Sequence, residues 1–203
     1  MRSLYSFLFV LSLFCVQAQK ISITQLEVEK LTRPLGLDTQ NPDFSWIIKS
    51  DEHNLSQTHY HIFVATDKIF SKKSLVWDSG KVNSSESVYV KYQGKPLDYA
   101  TKYYWTVKVW TNQSSRSRQS GVSFWTTGMM SSENWKSEWI GVDDEDKRWK
   151  TSPYFTNDFK VDNHLTSAQF FITSRAIYAA HINGKSVGES YLTPGWTSYN
   201  NRI

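Results

Sequence analysis

The stretch Leu97-Asp98-Tyr99-Ala100-Thr101-Lys102-Tyr103-Tyr104-Trp105-Thr106-Val107-Lys108-Val109-Trp110 decides the fold class. From Tyr103 onward it alternates with period two. Tyr103, Trp105, Val107 and Val109 share one face of an extended chain; Tyr104, Thr106, Lys108 and Trp110 share the other. β-branched and aromatic residues in that rhythm signal a half-buried strand. Thr58 to Thr66 repeats it, with Tyr60, Ile62 and Val64 opposite His59, His61 and Phe63. Further strands are expected at Ile21–Glu29, Phe44–Lys49, Leu75–Trp77, Ser87–Tyr92 and Val122–Thr126. Turn-forming clusters at Thr39–Asp43, Asp51–Asn54, Gln93–Pro96 and Asn112–Ser120 separate them. Several short strands between turns, with no helix of convincing length, predict an all-β antiparallel sandwich.

The opening string also resembles the penultimate strand of fibronectin type III domains. There a tyrosine at the start of the strand folds its hydroxyl back onto the preceding loop and fixes a corner. That resemblance gives Tyr103 the role of corner tyrosine.

The strand pattern ends near Gly128-Met129-Met130-Ser131-Ser132. Residues 19–128 therefore read as one fibronectin type III or Ig-like sandwich and 129–141, with Trp135 and Trp139-Ile140, as a connector. Alternation resumes at Tyr154–Val161, Ala168–Thr173 and Ile177–Ile182. Asn183-Gly184 is a two-residue hairpin signal, because both positions tolerate positive φ. Residues 142–203 carry too few strands to close a sandwich and would leave an edge and half a core open. The second unit is thus expected to be incomplete.

Arg2, the apolar run Leu4–Val16 and Val16-Gln17-Ala18 fit a cleavable export signal over residues 1–18. The run is shorter than the roughly 20 residues that span a bilayer, although an N-terminal anchor stays open. Cys15 raises lipoprotein processing as a third option, with bulky Phe14 fitting it poorly. Cleavage removes the single cysteine, which excludes disulfides, thiolate metal sites and a cysteine nucleophile. It also removes Arg2, leaving 22 basic against 19 acidic residues. Arg116 and Arg118 lie in polar surroundings rather than in a long stripe, so nucleic acid is not an expected partner. No later stretch is apolar and long enough to cross a membrane.

Several strings resemble the bacterial family-78 glycoside hydrolases, the α-L-rhamnosidases. They begin with Leu26-Glu-Val-Glu29, Pro34-Leu-Gly-Leu-Asp38 and Pro42-Asp-Phe-Ser-Trp46. Trp77-Asp-Ser-Gly-Lys-Val82, the Tyr104–Trp110 strand and Trp135-x3-Trp139-Ile140 follow in order. Tyr178-x3-Ile182-Asn-Gly-Lys-x-Val-Gly188, Leu192-Thr-Pro-Gly-Trp-Thr-Ser-Tyr199 and Arg202 complete the set. Ala176 departs from it, standing where glycine is expected. The resemblance implies a fibronectin-like domain, then the truncated start of a jelly-roll β-sandwich, with catalysis on an (α/α)6 barrel outside these residues. It implies an inverting hydrolysis of terminal α-L-rhamnose by two carboxylates. No catalytic residue carries over, and the rest of the parent enzyme is the implied partner.

Candidate sites within the chain are few. Trp149, Tyr191 and Trp196 have side chains able to stack on sugar rings such as rhamnose; for Trp196, in Pro194-Gly-Trp-Thr197, packing is the competing role. Asp143-Asp144-Glu145-Asp146 offers clustered oxygens for calcium but lacks the spaced ligands and central glycine of a known loop, which favours a solvated acidic turn. His59 and His61 share a strand face without a third ligand in view, which favours a solvent face over a metal clamp. No phosphate loop or nucleophile elbow is present. Three readings follow: the non-catalytic front of an exported rhamnosidase, a free-standing carbohydrate-binding or adhesion module, and a cell-surface protein-interaction module. The first predicts no other cofactor and no activity from this chain alone.

Overall fold

The computed structural model describes residues 21–142, 152–162, 164–195 and 198. The chain divides into two units, Met1–Lys136 and Ser137–Ile203, and the described residues are all-β apart from one 3-10 turn at Ser132–Asn134. The signal range 1–18, the acidic run 143–146, Trp149 and Trp196 lie outside the described residues.

The first unit contains two antiparallel sheets. In one, β1 (Ser22–Val28) and β6 (Val90–Lys91) flank β2 (Asp43–Lys49). In the other, β3 (Gln57–Ala65) lies beside β7 (Lys102–Thr111), and each bears two short strands on its outer side. These are β4 (Leu75–Asp78) and β5 (Val82–Asn83) on β3, then β8 (Ser114–Gln119) and β9 (Ser123–Thr126) on β7.

Residues of the expected inner face meet in the core. Ile62, Val64, Trp105, Val107 and Trp125 from the larger sheet are fully buried, as are Phe44 and Trp46 from the smaller one. Phe44 bridges the sheets, its ring centroid 4.7 Å from Trp105 and 5.4 Å from Trp125 in an edge-on approach. Such tilted and edge-on contacts match the ring quadrupoles and bury large apolar area. Trp46 is satisfied differently. Its indole N–H donates to Gln57 Oε1 at 3.0 Å, and Gln57 Nε2 donates to the carbonyls of Ser84 and Glu86 at 3.1 and 2.6 Å.

Two expectations need correction. Asn112–Ser120 is not all turn: the chain reverses at Asn112-Gln113 and returns as β8. The six residues of β8, Ser-Ser-Arg-Ser-Arg-Gln, have no apolar face, so they join β7 mainly through backbone bonds, with Gln119 Nε2 also donating to Thr106 Oγ1 at 3.4 Å, as a polar edge strand does. β6 is two residues long rather than six, since only Val90 and Lys91 find ladder partners on β2.

The string Pro34-Leu-Gly-Leu-Asp38 closes the sandwich. Leu37 N–H donates to the Thr126 carbonyl at 2.9 Å, and Gly128 N–H donates back to Leu37 at 2.8 Å. Gly36, at φ +74°, donates its N–H to Thr126 Oγ1. Asp38 Oδ1 then accepts the Met130 N–H at 2.8 Å, holding the chain as it leaves the last strand.

The described part of the second unit is sparse. Asn183 and Gly184 adopt φ of 49° and 75° and join β10 (His181–Ile182) to β11 (Lys185–Ser186) in the hairpin the dipeptide predicts. Tyr178 bridges to Thr193. Tyr154–Val161 and Ala168–Thr173 alternate in sequence yet form no ladder among the described residues. A period of two chooses a face, but a strand also needs a neighbour's N–H and C=O groups.

Candidate functional site

The corner at Tyr103 is built from three bonds. The phenol accepts the Asp98 N–H at 2.8 Å. Thr127 Oγ1 donates to the Asp98 carbonyl at 2.6 Å and accepts the Thr101 N–H at 2.9 Å. The Tyr103 ring is buried and stacks on Trp125, centroids 5.3 Å apart. Burial pushes the phenol above its ordinary value, although the Asp98 N–H works the other way. This arrangement holds the loop before β7 and performs no chemistry.

The outer face of the larger sheet carries aromatic and basic side chains at alternate positions. His59 stands opposite Trp110, His61 opposite Lys108, and Tyr104 opposite Phe124. Cations lie over the rings: Lys81 Nζ is 4.6 Å from the Trp110 centroid and Lys108 Nζ 5.0 Å from Phe63. Lys102 Nζ is 4.0 Å from Phe124, and Arg33 Cζ is 5.5 Å from the same ring. Distances below about 6 Å are those at which ring quadrupoles attract cations. At the Trp110 end the surface dips into a shallow, largely open cleft that His59, Lys81, Asn112, Gln113 and Ser114 help to line.

His59 and His61 have separate partners. His59 Nδ1 meets Thr58 Oγ1 at 3.1 Å, while His61 stacks on Phe63 and its Nε2 lies 2.5 Å from Asp78 Oδ1. Partial burial works against the Asp78 charge, but the Gly80 N–H, His61 and Lys108 together hold its carboxyl below the usual range. No three His, Cys, Asp or Glu side chains gather at metal-binding distance among the described residues.

Tyr191 is 93% exposed, with no second described aromatic residue paired to it. Trp149 and Trp196 have no described position, so the three do not form a described cluster. The aromatic and cationic face went unrecognised as a candidate site, although the second face of β7 already showed Tyr104, Lys108 and Trp110 at alternate positions. Lys81 has no such signal; only the turn between β4 and β5 brings it to Trp110.

A family described as Rha78A-like, N-terminal immunoglobulin domain matches residues 23–131, more than half of the chain. The chain belongs to this family. A second, the α-L-rhamnosidase N-terminal domain, matches residues 163–203 of this Rha78A-like chain. An α-L-rhamnosidase of Formosa agariphila is 32% identical over 95% of the chain, and one of Streptomyces avermitilis is 31% identical over 87%. The Rha78A-like chain spans only 23% and 19% of those two proteins' lengths. The crystal structure of Streptomyces avermitilis α-L-rhamnosidase complexed with L-rhamnose superposes with a TM-score of 0.58 at 37% identity, over 62% of this chain and 12% of that one. The native rhamnosidase of Aspergillus terreus has a TM-score of 0.68 over 91% of this chain and 21% of that one; at 21% identity it shows the fold alone.

Proposed function

We propose that the chain is the N-terminal, non-catalytic region of an exported α-L-rhamnosidase, whose remaining domains are its partner. The observation that carries this reading is the succession of two family matches, both named for N-terminal domains, across residues 23–131 and 163–203. The chain's share of its relatives, below a quarter, agrees with an accessory part. In the parent, one carboxylic acid protonates the departing glycosidic oxygen while a second carboxylate activates water on the opposite face of the rhamnose. An inverting pair of that kind stands roughly 6.5–9.5 Å apart, leaving room for the water. The sandwich supplies a rigid, closed body beside that chemistry. The fibronectin type III variety of the Ig-like sandwich is supported by the Tyr103 corner. Export is supported by the Leu4–Val16 run followed by Ala18.

The test has two arms. The purified chain, given an aryl α-L-rhamnoside, hydrolyses it at background rate; turnover abolished by changing a carboxylate in this chain would overturn the proposal. The reading frame beyond Ile203 continues into a helical domain of several hundred residues, whereas a stop codon there, with stable protein produced, would refute it.

A further inference from the structure

The outer face of the larger sheet has more aromatic surface and more positive charge than a solvated face needs. Six rings, of His59, His61, Phe63, Tyr104, Trp110 and Phe124, are partly buried there, each with an edge or face left to solvent. Lys81, Lys108, Lys102 and Arg33 lie over Trp110, Phe63 and Phe124, and Lys102 and Lys68 lie 5.6 and 5.8 Å from the Tyr104 ring. None of these five cations makes a direct ion pair among the described residues, where the two ion pairs are His61–Asp78 and Lys91–Asp43, although Lys108 is near enough to Asp78 to help hold its carboxyl low. Asp78 lies at this face, bonded to His61 and the Gly80 N–H and attracted by Lys108. From Tyr104 to Trp110 the strip runs about 20 Å, at the rise of an extended strand.

We propose that this face binds an anionic polysaccharide, a chain bearing uronate carboxylates or sulfate esters, with the Trp110 cleft as its best-formed subsite. Each part of the ligand finds a complement. Sugar rings present apolar C–H faces that suit aromatic planes, as Trp110, Phe63 and Tyr104 provide. Acid groups pair with Lys81 and Lys108, which flank the rings rather than gathering in one charge cluster. Hydroxyl groups meet Ser115 and the Gln113 amide oxygen at the cleft wall, since Gln113 Nε2 donates to the His53 carbonyl and Ser114 Oγ is bonded to Arg116. Asn112 is excluded from that role. Its Oδ1 accepts the Ser56 N–H and its Nδ2 donates to the Asn54 carbonyl, so it shapes the cleft instead. The bland alternative is that lysine stems merely cover the rings and keep the sheet soluble. Four of the five cations, Lys81, Lys102, Lys68 and Arg33, lie over rings with no ion-pair partner among the described residues, which favours a ligand over a cover.

Binding is read here without turnover, so its failure would leave rhamnoside hydrolysis by the parent untouched. The full chain is run through native gels containing polygalacturonate, dextran sulfate, neutral dextran or poly-L-glutamate. Retardation by polygalacturonate or dextran sulfate well above dextran is expected, and which of the two is stronger separates carboxylate from sulfate preference. Lys81→Gln and Lys108→Gln each weaken retention by about two- to fivefold, the worth of an exposed ion pair, and added salt weakens it further by screening. Trp110→Ala weakens it about tenfold through lost ring contact, while Lys49→Gln, on the opposite sheet, leaves it unchanged. No retardation by either anionic polysaccharide would overturn the proposal, as would equal retardation by neutral dextran. Equal retardation by poly-L-glutamate would mean an acidic polypeptide surface is the partner. A loss in Lys49→Gln matching that in Lys81→Gln would remove the face from the argument.

Discussion

Removing one oxygen, in Tyr103→Phe, isolates the corner from the packing around it. The ring keeps its stack on Trp125 and its buried volume, so no cavity term enters. What is lost is the acceptor 2.8 Å from the Asp98 N–H. A net hydrogen bond is worth about 1 kcal/mol, and an amide left without a partner costs about 1–3 kcal/mol. Asp98 is exposed, so water reaches the freed amide in part and the lower half of that range applies. The expected destabilisation is about 1–2 kcal/mol, or about 4–8 °C in the unfolding midpoint of a domain near 100 residues. Tyr60→Phe is the matched control. Tyr60 is also buried, and its hydroxyl bonds no described residue, so its loss changes stability by less than about 0.5 kcal/mol. Urea unfolding followed by fluorescence of the buried Trp46, Trp105 and Trp125 separates the two. If Tyr103→Phe unfolds at the same urea concentration as Tyr60→Phe, the hydroxyl does not hold the corner and the reasoning fails.

Three further outcomes are expected. Gln57→Leu strands the buried Trp46 indole N–H and removes the donor to the part-buried carbonyls of Ser84 and Glu86, costing about 2–3 kcal/mol; a urea midpoint within about 1 kcal/mol of the parent would contradict the network. Gly128→Ala places a Cβ into the Asp38 carboxylate and 2.8 Å from the Gly36 carbonyl oxygen, forcing the closing loop away, at about 1–3 kcal/mol in the same assay. Burial raises the phenols of Tyr60, Tyr92 and Tyr103 above the ordinary 10.0. The unfolded chain then releases phenol protons first, so stability is full below about pH 10 and falls as pH rises beyond it. A midpoint unchanged from about pH 9 to about pH 11 would refute that ordering.

The first unit was legible wherever a strand buries one face. β3 and β7 have Ile62, Val64, Trp105 and Val107 at alternate positions, and their limits agree with the pattern within a residue or two. β8 was hidden because its order comes from backbone bonds to β7, which serine and arginine side chains do not advertise. β5, only Val82 and Asn83, is too short to show a period. In the second unit the Asn183-Gly184 hairpin was readable because its geometry is local, whereas Tyr154–Val161 depends on neighbours that no local signal names. The binding face was half visible. Alternation placed Tyr104, Lys108 and Trp110 together, but Lys81, Lys102 and Arg33 reach the rings from turns and strand ends.

The clasp between Pro34-Leu-Gly-Leu-Asp38 and the end of β9 bears on how the protein is made. Its bonds from Gly36 to Thr126 and from Met130 to Asp38 span 90 and 92 residues. A ribosome adding about 10 residues per second would deliver the second half of the clasp about ten seconds after the first. Until residues 126–130 emerge the clasp cannot form, and long-range pairing of this kind is slow to form. The clasp is therefore the last part of the domain to be completed, joining its first turn to its last strand only when synthesis of the sandwich is done.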